Sequence, residues 1–186
     1  MRVATWNVNG LRARLDYLTH WLAARQPDVV GLQELKTPTD DFPHEYFADL
    51  GYHAAVYGQK SWNGVAILSK LPLETRQIGL PGQDDFGSRL ITATIDDRLL
   101  FSTVYCPNGK TVEHADYQGK LGWYDDLTQH WQAEYELPAI LCGDFNIVPE
   151  PLDTWRGASG DGGIFHTAAE RKAMQRLLDK NLIDLY

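Results

Sequence analysis

Apolar and polar positions alternate over "RVATWNV" at the start of the chain, and the period changes immediately afterwards. In "LRARLDYLTHWLAARQ", Leu11, Leu15, Leu18 and Leu22 recur at steps of four and three, the stripe of an amphipathic helix. "PDVVGLQE" then reads as a short buried strand. Strand, helix and strand in succession predict a right-handed crossover between two parallel strands.

The middle of the chain has a different pattern. "YHAAVYGQ" and "GVAILSK" flank "KSWN", where Asn63-Gly64 is a turn signal, and "RLITATI" and "LLFSTVY" flank Asp96-Asp97. Both pairs predict hairpins. Residues 115–135 carry a helical pattern, "PAILCGDF" is a further strand, and Thr167 with Glu170 forms a capping-box signature opening the helix "AAERKAMQRLLDKN". Residues 156–166, "RGASGDGGIFH", read as a long flexible loop. The sum is a mixed α/β domain with helices on sheet faces.

Several of these strands end in polar side chains. Asn7 and Asn9 close the first, Glu34 the second, and Tyr105 stands before a Pro-Asn-Gly turn. Asp144 and Asn146 follow "PAILCG" two residues apart, a spacing that in a strand points both the same way. Singly, each has a structural explanation: an asparagine in a turn, a surface carboxylate, an Asx turn, a core tyrosine with its hydroxyl at the rim. Four such endings in one chain point to a shared site, because ligands gather at strand ends in sheets with parallel strands. The donors are hard oxygens. Glu34 and the Asn7 amide oxygen suit Mg²⁺ or Mn²⁺, Asp144 can take a proton from water, and Asn146 and Tyr105 can donate to a phosphate oxygen. Metal-assisted phosphodiester hydrolysis is the chemistry this set fits.

Composition narrows the picture. At 186 residues and 44% hydrophobic content, residues 1–186 are expected to form a single domain with a real core. The absence of a long apolar run predicts no membrane span, and a cytoplasmic protein, a monomer by default, is the expectation. Cys106 and Cys142 lie in apolar runs and read as buried thiols, too few for a disulfide framework or zinc cluster. A formal charge of −8 argues against coating nucleic acid by general attraction, although a bound divalent cation inverts the field at a carboxylate site.

The ordered segments "TWNVNGLRARL", "PDVVGLQELK", "GVAILSK", "SRLITATI", "VYCPNG" and "GDFNIVPEPLD" resemble the exonuclease III-type apurinic/apyrimidinic endonucleases of the endonuclease/exonuclease/phosphatase superfamily. The resemblance implies a four-layered α/β sandwich with two packed mixed sheets. It also implies hydrolysis of double-stranded DNA at abasic sites or 3′ ends in base excision repair. It assigns Asn7 and Glu34 to the metal site, Tyr105 to the phosphate, Asp144 to the attacking water and Asn146 to the phosphate beside it. Departures are Leu35 within the family's "ETK" and Cys106 after Tyr105. The family's "SWWDY"-like segment, "R-x-D" strand and terminal "SDH" motif do not occur, and His166 is not their histidine. With an apolar "LIDLY" at the end, the expectation is a domain short of C-terminal strands: a fragment or partner-dependent half.

Other residues carry weaker signals. Trp62, in the turn "QKSWNG", could wedge into DNA or cover an apolar patch. Asn9, Lys36, Lys60 and Arg89 are candidate substrate contacts, against the plain alternative of turn residue or solvated charge. Two other functions remain open: a relative acting on a non-nucleic phosphoester such as a phosphoinositide, and a DNA-binding relic without catalysis.

Overall fold

A computed structural model of the chain describes residues 1–132 and 135–185. They fall into two compact units. The first comprises Met1–Tyr105 with Glu136–Asp144, and the second the described residues of Cys106–Tyr135 and Phe145–Tyr186.

The first unit contains two four-stranded sheets. One has β1 (Val3–Asn7), β2 (Val29–Gln33), β3 (His53–Tyr57) and β4 (Val65–Ser69) in the order β1-β2-β4-β3. The other has β5 (Leu73–Ile78), β6 (Leu90–Ile95), β7 (Leu99–Tyr105) and β8 (Ala139–Asp144) in sequence order. Each is mixed, with a single parallel pair: β1 with β2, and β7 with β8. The other neighbours are antiparallel, including both expected hairpins. Asp96 and Asp97 both have positive φ, the backbone of a type I′ turn, which matches the twist of the strands it joins.

Alternation along β2 shows how the layers are built. Val30 and Leu32 face helix α1 (Leu11–Arg25) and the short helix α2 (His44–Asp49), where they join Leu11, Leu18, Leu22 and Phe47 in one core. Burying each such leucine contributes about 2 kcal/mol. Val29 faces the other sheet, in a second core with Ile67, Ile91, Ile95 and Phe101. Gly31 marks the closest approach of the sheets: a Cβ there would stand 2.7 Å from Thr103 Oγ1 and 2.8 Å from Cys142 Sγ. The two packed mixed sheets and α/β class agree with the expectation from sequence.

In the second unit, α3 (Ala115–His130) packs against α4 (Ala168–Leu178). The Thr167–Glu170 capping box is present in both directions.

Four local expectations are corrected. The helix expected over 115–135 ends at His130, because Trp131 turns to an extended conformation; residues 133 and 134 lie outside the described residues. The last helix ends at Leu178 rather than Asn181, whose φ is positive. Strand β5 was not anticipated, since Glu74, Thr75 and Arg76 are exposed on a bulged edge strand with no apolar alternation to signal it. The segment 156–166 is not a loose loop. It forms a 3₁₀ turn over Gly157–Gly160 and buries His166, whose Nδ1 lies 2.8 Å from the Ile164 carbonyl. Gly160 permits this, because a Cβ there would meet the His166 ring at 2.7 Å.

Both cysteines are free thiols, with Cys106 buried. Burial pushes the Cys142 thiol up to about 12, against the hydrogen bonds of Thr103 and Thr5. Among the described residues no helix is long and apolar enough to cross a membrane.

Candidate active site

The two parallel pairs bring their C-terminal ends to one site within the first unit. Asn7 is the last residue of β1, opposite Gln33, and Glu34 follows directly. Tyr105 and Asp144 are partners at the ends of β7 and β8. Parallel strands deliver their ends to the same edge of a sheet, so each sheet contributes two polar side chains.

Beyond the strand ends, the chain is held in conformations that L-residues seldom adopt. Asn9, Glu34 and Lys36 have φ of 46°, 54° and 54°. Each such residue costs about 1–2 kcal/mol, and surrounding bonds hold them there. Gly10 N–H donates to the Glu34 carbonyl at 2.7 Å, Leu35 N–H to Gly64 at 3.1 Å, and Lys36 N–H to Asn63 at 2.9 Å. The Asn63-Gly64 signal thus braces the Glu34 loop as well as closing a hairpin connection.

Asn7 is the hub. Its Nδ2 donates to Glu34 Oε1 at 2.8 Å and to Asp144 Oδ2 at 2.7 Å, while its Oδ1 accepts from the Asn9 backbone at 3.0 Å. Sequence reasoning expected the Asn7 oxygen at a metal; in this arrangement the side chain presents its donors to the two carboxylates. Lys36 Nζ lies 2.9 Å from Glu34 Oε2 and also donates to Asn9 Oδ1.

Burial pushes the Glu34 carboxyl up, but hydrogen bonds from Asn7, Lys36 and Tyr105 and the Lys36 charge together hold it below the ordinary carboxylate value. Glu34 is therefore an anion at neutral pH. The Tyr105 phenol moves the opposite way, raised by burial and then by the charge of Glu34 and its hydrogen bond to it, with Arg89 a partial counterweight. Tyr105 stays a donor. Arg89 serves this tyrosine: its guanidinium lies 4.8 Å over the Tyr105 ring and donates to the Tyr105 carbonyl at 3.1 Å and the Phe86 carbonyl at 2.8 Å. Its Nε and Nη1 are thereby engaged with the Phe86 and Tyr105 carbonyls.

Asn146 lies in the second unit. Strand β8 ends at Asp144 and Asn146 has a φ of 49°, so strand alternation does not govern its direction. Its Nδ2 donates to the Cys106 carbonyl at 2.8 Å. Trp62 is 69% exposed, on the segment between β3 and β4, and Lys60 on the same segment is exposed too.

The donor set fits a hard divalent cation. Glu34 could supply a charged oxygen, with Asp144 held beside the same amide, and among the described residues no group of three His, Cys, Asp or Glu gathers as a closed metal cage. Mg²⁺ commonly binds in this manner, through one or two carboxylates while retaining water for exchange with phosphate oxygens.

The profile of the Endonuclease/Exonuclease/phosphatase family matches residues 4–180. The chain belongs to this family. It is 35% identical over 199 aligned positions to exodeoxyribonuclease III of Haemophilus influenzae, covering all of this chain and 74% of that protein. An AP endonuclease structure from Archaeoglobus fulgidus superposes with a TM-score of 0.91 at 32% identity, over 96% of this chain and 70% of that one. A 3′ phosphatase from Neisseria, solved with a product DNA hairpin, gives 0.91 at 36% identity, over 97% and 71%. The endonuclease/exonuclease/phosphatase assignment and the hydrolytic class are thereby established for this chain.

One buried charge of the second unit was not singled out from sequence. Lys120 is fully buried on α3, in a stripe with Tyr117, Tyr124 and Leu127. The available signal was a lysine recurring at the spacing of core positions.

Proposed function

We propose that this family member hydrolyses DNA phosphodiesters in base excision repair, at abasic sites or 3′ ends, with Mg²⁺ as cofactor and Mn²⁺ as a substitute. The observation that carries the reading is Asn7 Nδ2 joining Glu34 and Asp144 at 2.8 and 2.7 Å. The relatives' names supply the substrate class: an exodeoxyribonuclease, an AP endonuclease and a DNA-bound 3′ phosphatase. The family match runs through both units, which supports treating residues 1–186 as belonging to one domain; a monomer is the proposed state.

In this mechanism Glu34, held anionic, would hold the metal together with Asn7 beside it. The bound cation supplies Lewis-acid stabilisation of charge on the phosphoryl oxygens. Asp144, oriented by Asn7, accepts a proton from the attacking water as the new oxygen–phosphorus bond forms and the bond to O3′ breaks. The leaving oxygen takes its proton from solvent. Tyr105, held in place by Arg89, donates its hydroxyl hydrogen to a phosphate oxygen, and Asn146 is read as a further phosphate donor. Asn9 and Lys36 set the Glu34 loop, and Trp62 and Lys60 contact the duplex. An abasic sugar is the favoured target because extruding it costs less than unstacking a paired base.

The test is incision of an abasic duplex, and of a 3′-recessed duplex, by purified protein in Mg²⁺, in Mn²⁺ and in EDTA. We expect metal-dependent cleavage and a loss of about 10³-fold in Asp144→Asn. Cleavage unaffected by Asp144→Asn would overturn the reading. Turnover of a phosphoinositide without DNA incision would favour the non-nucleic alternative, and metal-independent binding without cleavage the relic.

A further inference from the structure

The second unit contains an ion pair with no solvent exposure. Lys120 Nζ lies 2.5 Å from Glu170 Oε1, and both side chains are fully buried. The carboxylate is otherwise well satisfied. Its oxygens accept from the backbone of Phe165 at 3.1 Å and of Thr167 at 3.0 Å, and from the Thr167 hydroxyl at 2.8 Å. Tyr117 closes the network, its hydroxyl 2.7 Å from Thr167 Oγ1.

Burying two charges forfeits their hydration, and replacing such a pair with apolar side chains of similar volume is often neutral or stabilising. Folding alone therefore gives little reason for a lysine here. What the ammonium supplies is direction. A second donor of Lys120 reaches the Asn146 carbonyl at 2.5 Å, and its Nζ sits 4.8 Å over the Phe165 ring. One helical turn further on, the Tyr124 hydroxyl donates to the Phe145 carbonyl at 2.5 Å. Residues four apart share a helix face, so one face of α3 grips two consecutive carbonyls. The gripped residues directly follow Asp144 in the chain, and Asn146 sits at φ 49° with its amide on the Cys106 carbonyl.

We propose that Lys120, held by Glu170 and assisted by Tyr124, is a positioning residue that fixes the backbone of Asn146 and thereby aims its amide. The inference rests on the reading of Asn146 as a phosphate donor. Lys120 acts through the Asn146 carbonyl.

The experiment is a double-mutant cycle in the purified protein with Mg²⁺ and abasic duplex. Lys120→Met with Glu170→Met removes both charges together, so neither is left buried without its partner, although the Phe165 and Thr167 N–H groups lose their acceptor. We expect a lowered but still cooperative melting transition, a fall in kcat of about tenfold to hundredfold with little change in KM, and less than about threefold further loss on adding Asn146→Ala. Without metal or DNA, the side-chain amide NMR signal of Asn146, assigned by its disappearance in Asn146→Ala, should shift or broaden in the double variant while that of Asn7 stays put. Parental kcat, a full Asn146→Ala effect in the double variant and an unmoved Asn146 signal would overturn the proposal. If the double variant fails to fold, Tyr124→Phe takes its place: a smaller kcat loss, non-additive with Asn146→Ala, supports the proposal and strict additivity overturns it. If Asn146→Ala alone leaves kcat intact, the phosphate role of Asn146 fails, and the NMR arm still decides whether Lys120 sets its geometry.

Discussion

Asn7 Nδ2 stands 2.7 Å from Asp144 Oδ2, joining residues 137 positions apart in the chain, and its other donor meets Glu34 at 2.8 Å. One primary amide thus separates two carboxylates and fixes the rotamer of each. Asn7→Ala removes both bonds and leaves two like charges facing each other. We expect kcat to fall about 10²-fold with only a small change in melting temperature, since the site is part-exposed. A loss of stability large enough to account for the activity loss would instead make Asn7 a structural residue.

Tyr105 donates to Glu34 and lies beneath Arg89, and its phenol is raised above the ordinary 10.0, by burial first and then by Glu34. Tyr105→Phe keeps the stack and removes the donor. We expect kcat to drop about tenfold to hundredfold at unchanged fold. Absorbance at about 295 nm should show no phenolate attributable to Tyr105 up to about pH 11, where exposed tyrosines have ionised. A difference titration between parent and Tyr105→Phe that reveals an ordinary phenol disproves the assigned environment.

Gly143 precedes Asp144 and pairs with Val104 across β7 and β8. Its φ is 149°, and a Cβ would lie 2.0 Å from the Val104 carbonyl oxygen, a backbone atom that cannot swing away. Gly143→Ala should destabilise by about 3 kcal/mol or more, read as a lower urea midpoint, because β8 must pull away from β7. An unchanged midpoint contradicts the register described here.

His130 closes α3, and burial lowers its imidazole below the ordinary 6.5. A depressed histidine means that the unfolded chain binds its proton at a higher pH than the folded one. Its contribution to stability is therefore complete above about pH 6.5 and declines as pH falls through the folded value. Melting temperature against pH should sag on the acid side of 6.5 in the parent protein and less so in His130→Gln. Parallel curves for the two proteins rule this out.

Much of the frame was legible because burial on one element leaves a period in its own sequence. The leucines of α1, the apolar runs of β6 and β7 on either side of Asp96-Asp97 and the Thr167–Glu170 cap signalled themselves within a few residues. Strand β5 left no such trace, since an exposed edge strand needs only a neighbour's backbone. The fold of 156–166 was hidden for a related reason: its glycines read as freedom, whereas Gly160 is the space into which His166 packs. The place of Arg89 beside Tyr105 was hidden as well, because charge type is visible in sequence and the carbonyls that accept from its Nε and Nη1 are not.

Sequence by itself determined which functional groups the strand ends carry, and so the oxygen-ligand chemistry of Asn7, Glu34, Tyr105 and Asp144. The tertiary structure decided which way those groups act. Asn7 turns its donors toward two carboxylates, Glu34 stays charged among three hydrogen-bond donors, and Tyr105 stays protonated beside it. The physical reason is range. Hydrophobic periodicity is written by each residue's own neighbours, whereas the direction of a hydrogen bond and the sign of a titration shift are set by partners that only the folded chain brings within 3 Å.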